Sequence, residues 1–313
     1  MKNNRFLNFL PYNIGLCLSS VVIAIFLSTT SSAQTRDISG RAELDVKRIT
    51  VKVGAKRPFE LMHISDSHLV FADVRDPEKK SLLARFRHSE FPWALYCLQK
   101  ELEYASKNNL PILHTGDMID FVSEMNLDQA VSVFSTGDWF LVASGNHEFS
   151  QFMSYFGPEQ ETEEYKAQTY DKVQTAFPDD FSVCAKVKNG VNFIALDNSY
   201  YKINQAQFDK VKAEFAKGLP VVLAVHVPFY TPELYNRSSD GGKKFSYLCC
   251  PPSEDNDALT LEFIEWLKQQ PQLKAIFSGH LHFFWEEEFA PGVMQYTVGA
   301  GSFGQAYHIR FVR

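Results

Sequence analysis

Five short motifs in this chain carry the residue types that bind metal ions and move protons. In chain order they are Asp66-Ser67-His68, Gly116-Asp117-Met118-Ile119-Asp120, Gly145-Asn146-His147-Glu148, His226 and Gly279-His280-Leu281-His282. The sequence has nine histidines, and five of them (His68, His147, His226, His280 and His282) fall inside these motifs. Imidazole together with carboxylate suits borderline divalent cations, and two carboxylates among several histidines are enough for two ions. Each motif alone has an ordinary explanation. An Asp after a strand caps a helix or closes a turn, and a histidine on an apolar strand, such as His226, is commonly a hydrogen-bonded core residue. Their recurrence in one setting carries the argument. Glycine precedes Asp117, Asn146 and His280, where a chain turning out of a strand needs positive φ or close backbone approach.

Such a cluster needs a scaffold that brings distant segments to one edge. Apolar, β-rich runs at 48–53, 59–65, 111–115, 139–144, 181–187, 191–197, 220–226, 273–278, 293–298 and 307–312 alternate with helical spacing at 92–107, 128–134, 162–177, 204–217 and 258–269. That alternation predicts an α/β domain, with Asn189-Gly190 closing a hairpin. Every motif lies at or just past the end of a predicted strand, where open α/β sheets place ligands. No repeat is evident and no Pro, Gly or Ser-rich linker divides the chain after residue 33, so residues 34–313 read as one catalytic domain. Two irregular stretches, 71–90 and 228–256, are long enough to be functional and are expected to frame the mouth of the site.

The ordered set D-x-H, G-D-x-x-D, G-N-H-E, H, G-H-x-H resembles the calcineurin-like metallophosphoesterase superfamily, which includes purple acid phosphatases and serine/threonine protein phosphatases. All five blocks are present from Asp66 to His282, most of the chain after residue 33. The resemblance implies a four-layer α/β/β/α sandwich of two mixed β-sheets flanked by helices, holding two metal ions. It implies that Asp66, His68 and His282 hold one ion and Asn146, His226 and His280 the other, with Asp117 bridging. His147 would face the substrate as general acid, supported and oriented by Asp120. Phe121 stands where purple acid phosphatases carry their colour-giving tyrosine and where protein phosphatases carry arginine, so the chain looks closer to other branches. Mn, Zn and Fe all suit the donor set.

The implied reaction is hydrolysis of a phosphate mono- or diester. Two ions clamp the phosphoryl oxygens and turn the water between them into the attacking hydroxide. Two ligand carboxylates leave the loaded site net positive, which favours a phosphate anion. Histidine is a suitable acid for the leaving oxygen near neutral pH. Glu148 reads either as support for a metal ligand or as a helix-start cap. His63 and His114, inside strands, read as core histidines, and the 283–285 aromatic run as sheet core.

A formal net charge of −6 argues against a protein that grips nucleic acid through a broad basic face. The first 33 residues read as a secretory signal: Lys2 and Arg5, an apolar run, then Ser31-Ser32-Ala33 before a cut at Gln34. Cleavage would remove two cations and take the charge to −8. The expected location is therefore periplasmic or extracellular, with membrane attachment only if the leader stays as an anchor. Cys97, Cys184, Cys249 and Cys250 show no zinc or redox spacing.

Substrate is the least specified point. The two long stretches mix Arg75, Lys79, Lys80, Arg85 and Arg87 with Tyr230, Tyr235, Arg237 and Tyr247. They suit a nucleotide by charge and stacking, and read equally as solvated cations over a small satellite core. The expected partner is a small phosphoester: a nucleotide, lipid headgroup or sugar phosphate. A nuclease or nucleotidase using the same site is the alternative within this chemistry, and a metal-stabilised binding protein without turnover the alternative outside it.

Overall fold

A computed structural model describes residues 44–152, 162–238, 247–253 and 256–313. The leader read at 1–33 lies outside them. Among these residues eleven strands form two sheets, one of order β1-β11-β2-β3-β4 and one of order β5-β6-β7-β8-β10-β9. The first sheet comprises β1 (Asp45–Lys52), β2 (Phe59–Ile64), β3 (Ile112–His114), β4 (Trp139–Val142) and β11 (Gln305–Val312). The second comprises β5 (Val183–Lys188), β6 (Val191–Leu196), β7 (Val221–Ala224), β8 (Leu273–Ser278), β9 (Trp285–Ala290) and β10 (Val293–Thr297). The α-helices of the described residues are α1 (Glu78–Glu90), α2 (Ala94–Lys107), α3 (Glu124–Phe134), α4 (Glu163–Gln174), α5 (Gln205–Phe215), α6 (Pro232–Ser238) and α7 (Ala258–Lys268). None is long and apolar enough, among the described residues, to cross a membrane.

Strand periodicity produces the layers. On β6, Phe193 and Ala195 enter a core shared with Leu61, Leu113, Leu141, Ala224, Phe277 and Phe311 of both sheets. The intervening Ile194 and Leu196 face α5 and α7, packing with Phe208, Val211, Phe263 and Leu267. On the far side, Met62, Ile64 and Val142 meet Leu98 of α2, Leu127 and Ala130 of α3 and Val173 of α4. The result is the expected helix/sheet/sheet/helix sandwich, its three interlayer cores joined by a smaller cluster of Val70, Leu83, Phe91, Ala94 and Phe121. Side chains at the helix starts satisfy otherwise orphaned amides. Ser123 accepts from Asn126, Asp257 from Thr260, and Asn204 forms a capping box with Gln207.

Two expectations need correction. The stretch 71–90 is not irregular, because residues 78–90 form α1. Its buried residues are Lys80, Leu83 and Arg87, so the buried stripe is two-thirds cationic and shows no apolar period. Within 228–256, residues 232–238 form α6. Strand β9 was also unforeseen. It carries Glu286, Glu287 and Glu288 and pairs only with β10, antiparallel, at the sheet edge, where charge is common.

Candidate metal centre

Strands β2, β3 and β4 run parallel, as do β7 and β8, so the turns leaving each set start from one edge. The turns then stay joined. The Asp66, His68 and Leu69 amides donate to the carbonyls of Gly116, Asp117 and Met118, and the Asp120 amide donates back to Leu69. In the second sheet the Gly279 amide donates to the His226 carbonyl. The two sheets are tied at the site itself, where the His280 amide reaches the Asp66 carboxylate at 3.0 Å.

The backbone here is strained in a patterned way. Of the nine non-glycine residues with positive φ among the described residues, five are Asp66 (55°), His68 (45°), Asp117 (57°), His280 (71°) and His282 (57°). Such conformations cost free energy and cluster where function requires them. Among the motif glycines, Gly116 has φ of 100° as expected. Gly145 and Gly279 serve by close approach instead. A Cβ on Gly145 would lie 2.2 Å from Asp117 Oδ1, and one on Gly279 would lie 1.9 Å from Ser65 Oγ.

The side chains converge in three groups whose donor atoms lie within 4.8 Å of one another: Asp66, His68 and His282; Asp117, His226 and His280; and His68, Asp120 and His147. His68 Nε2 lies 3.0 Å from His282 Nε2 and 3.9 Å from Asp66 Oδ1. His226 Nε2 lies 3.1 Å from Asp117 Oδ2, 3.1 Å from Asn146 Oδ1 and 3.2 Å from His280 Nδ1. Asp117 stands between the halves. Its Oδ1 accepts the His147 amide at 2.9 Å, while Oδ2 lies 3.9 Å from His68 Nε2. All of these residues are buried or nearly so, and the His282 side chain, at 32% exposure, marks the open side.

Electrostatics show that the cluster wants cations. Burial works to raise the Asp66 and Asp117 carboxyls, yet their histidine neighbours hold both below the usual range. Burial pushes His68 down to about 4 and His280 down to about 3, so both stay neutral with lone pairs available. His226 is the exception. Burial opposes its charge, but Asp117 beside it lifts it to about 9. Anionic carboxylates and convergent imidazole nitrogens fit two metal ions.

Neighbours fix which nitrogen faces inward. His226 Nδ1 donates to the Thr115 carbonyl at 2.7 Å, leaving Nε2 for the site. Asn198 holds the start of this turn, accepting the His226 and Val227 amides and donating to the Val227 carbonyl. His280 Nε2 meets the Tyr201 hydroxyl at 3.0 Å. His68 Nδ1 donates to Asp120 Oδ1 at 2.9 Å. His147 Nδ1 donates to the Asp120 main-chain carbonyl at 2.7 Å, with Oδ1 further away at 3.3 Å. Asp120 therefore braces two histidines, His68 by its carboxylate and His147 chiefly by its backbone.

Several supporting residues had little sequence signal. Glu148, which had two readings, collects the amides of Asp117, Met118, Ile119 and Gly145 at 2.6–3.2 Å and so fastens two motif turns together. Burial, then the Asp117 charge, raises it to about 7 while those amides pull the other way. Arg87, one cation among many in the sequence, contacts Asp120, and Tyr201 had no signal at all. His63 and His114 are buried, bonding Thr115 Oγ1 and Ser67 Oγ respectively, so they brace the turns. Of the expected loop cations, Arg75 pairs with Asp73 and Asp128, and buried Lys80 donates to the Val122 carbonyl. The Tyr247 ring comes 6.1 Å from His280, while 239–246 lie outside the described residues. Cys97, Cys184, Cys249 and Cys250 are free thiols.

No curated protein sequence matches the chain. Among solved structures, a dimetal phosphatase from Danio rerio is 12% identical with a TM-score of 0.47, covering 79% of this chain and 88% of that one. A calcineurin-like phosphoesterase from Bacillus subtilis is 12% identical at a TM-score of 0.42, covering 79% and 82%. A 5′-nucleotidase from Candida albicans is 12% identical at 0.42, and this chain spans only 47% of its length. The sequence profile of the calcineurin-like phosphoesterases matches residues 59–284, well over half the chain. On that match the chain belongs to the calcineurin-like phosphoesterase family, metal-dependent hydrolases of phosphoesters.

Proposed function

We propose that this protein is an exported phosphoesterase that hydrolyses a small phosphate mono- or diester, with His147 as general acid. The observation that carries this reading is Asp117, whose Oδ2 faces His226 on one side and His68 on the other while its Oδ1 is held by the His147 amide. Asp66, His68 and His282 would hold one ion, and Asn146, His226 and His280 the second, with Asp117 shared. When bound, the ions supply the positive charge that clamps the phosphoryl oxygens and acidifies the attacking water.

The remaining work belongs to the chain. His147 Nδ1 donates a hydrogen bond to the Asp120 carbonyl, which leaves Nε2 free to act on the metal side, 3.9 Å from Asp117 Oδ2. Protonated there, it delivers a proton to the leaving oxygen, a role that contributes roughly 10²–10⁴-fold. The substrate would enter past His282, whose side chain is 32% exposed. A nucleotide, lipid headgroup or sugar phosphate satisfies this chemistry. Support for export is the pattern of residues 1–33, with cations before an apolar run and small residues before Gln34.

The test is metal content and hydrolysis by the chain beginning at Gln34, using a phosphomonoester and a phosphodiester. His147→Ala should lose about 10²–10⁴-fold in turnover and keep its metal, whereas Asp117→Asn should lose metal. The opposite pattern would reverse the roles, and bound metal with no hydrolysis of either ester would overturn the enzymatic reading.

A further inference from the structure

Arg87 has no part in the steps above, yet it is 7% exposed, in the last turn of α1, with its guanidinium directed at the site. Its Nε donates to Asp120 Oδ2 at 2.6 Å and its Nη2 to Asp120 Oδ1 at 2.7 Å. This is the two-pronged fit of guanidinium to carboxylate that lysine cannot make. Nη1 is taken by Glu90, so the group is already spent within the protein and is poorly placed to hold a substrate phosphate. Asp120 Oδ1 in turn accepts from His68 Nδ1 at 2.9 Å. A second contact comes from the same helix end. Phe91 lies 4.9 Å beneath the guanidinium and stacks on the His68 ring, with centroids 4.3 Å apart and planes 2° from parallel.

The His68 ring is therefore fixed on two sides by α1. One side is the edge contact through Asp120, which sets rotation about the ring axis and the tautomer. The other is the flat contact with Phe91, which sets the ring plane. The histidines of the second half are held differently: His226 leans on a main-chain carbonyl and His280 on a phenol.

We propose that Arg87 is a positioning residue, holding Asp120 so that His68 presents Nε2 to the ion bound with Asp66 and His282, and that it acts on that ion alone. The proposal rests on the metal reading given above. It makes α1 a determinant of metal occupancy in one half of the site.

The experiment uses the full chain, stripped of metal and titrated calorimetrically with Zn²⁺ alone, so that activity is not the readout. The unmodified chain should show two binding events. Arg87→Met should weaken one of them about 10–100-fold, the usual consequence of losing a contact behind a ligand, and leave the other unchanged. Arg87→Lys, which keeps charge but not the fork, should fall between. Asp120→Asn should weaken the same event, and adding Arg87→Met to it should change nothing further, since the arginine acts through that carboxylate. Phe91→Leu serves if Arg87→Met does not fold, and should weaken the same event by less. The proposal is overturned if folded Arg87→Met or Phe91→Leu binds both ions normally, if both events weaken alike, or if the double variant is additive. A chain that binds fewer than two ions before any substitution fails differently, by removing the metal reading itself.

Discussion

The two halves of the metal centre are built from similar ligands but held by different means. Around Asp66, His68 and His282 the brace is ionic and reaches outward, from His68 through Asp120 to Arg87 on α1. Around Asn146, His226 and His280 it is neutral, through the Thr115 carbonyl, the Asn198 side-chain amide and the Tyr201 hydroxyl. An ionic brace in a buried setting is strong while complete and costly once one member is removed. A brace built on main-chain carbonyls cannot be removed by substituting a side chain. The half nearer α1 should accordingly be the more sensitive to mutation.

Substitutions can break or sharpen that contrast. The largest effect is expected where the halves meet. Asp117→Asn should lower affinity for both ions by more than the ~100-fold typical of contacts behind a ligand, measured by metal content after dialysis; retention of either ion at full occupancy would show that Asp117 is not shared. Glu148→Gln comes next, because its NH₂ would face two of the four backbone N–H donors that the carboxylate oxygens accept in pairs. Thermal denaturation of the folded protein should show a loss of about 1–3 kcal/mol, the cost of leaving buried donors unpaired. In the ionic half, Asp120→Asn should cost one ion about 10–100-fold in affinity. In the neutral half, Tyr201→Phe should cost the other ion about 10-fold or less, since only one hydrogen bond to His280 is lost. Equal losses in these two variants would erase the proposed asymmetry.

The smallest effect concerns α1 away from the ligands. Lys80 is buried beside Phe121, Phe152 and Tyr165, and burial lowers it from 10.5 to about 8. Between pH 8 and 10.5 the unfolded chain therefore keeps a proton that the folded chain releases, and stability rises with pH across that window. Urea unfolding of the unmodified chain and of Lys80→Met should converge or cross in that range, with the unmodified chain gaining relative to the variant as pH rises. Parallel curves would show that Lys80 stays charged in the fold.

Legibility varied with how local each cause was. The ligand residues, the strands that carry them and the glycines before them are all short-range signals, written within a few residues of each other. Strand β6 was readable because its side chains alternate between two cores, and the β5–β6 turn because Asn189-Gly190 adopts positive φ. Helix α1 was missed because its buried face is Lys80, Leu83 and Arg87, which has no apolar period. Strand β9 was missed because edge glutamates mask its alternation.

By itself the sequence determined which side chains could meet a metal, in what order they leave the strands, and that two apolar faces of each sheet must be covered. Only the tertiary structure decided which atoms meet. It assigned the Asp120 carboxylate to His68 and its main-chain carbonyl to His147, gave Glu148 the amides of two turns, and brought Arg87 across 33 residues to Asp120. The physical reason is reach. Hydrogen bonds act over about 3 Å, so their partners are set by how the layers pack, whereas hydrophobic pattern and turn chemistry act on the nearest neighbours in the chain.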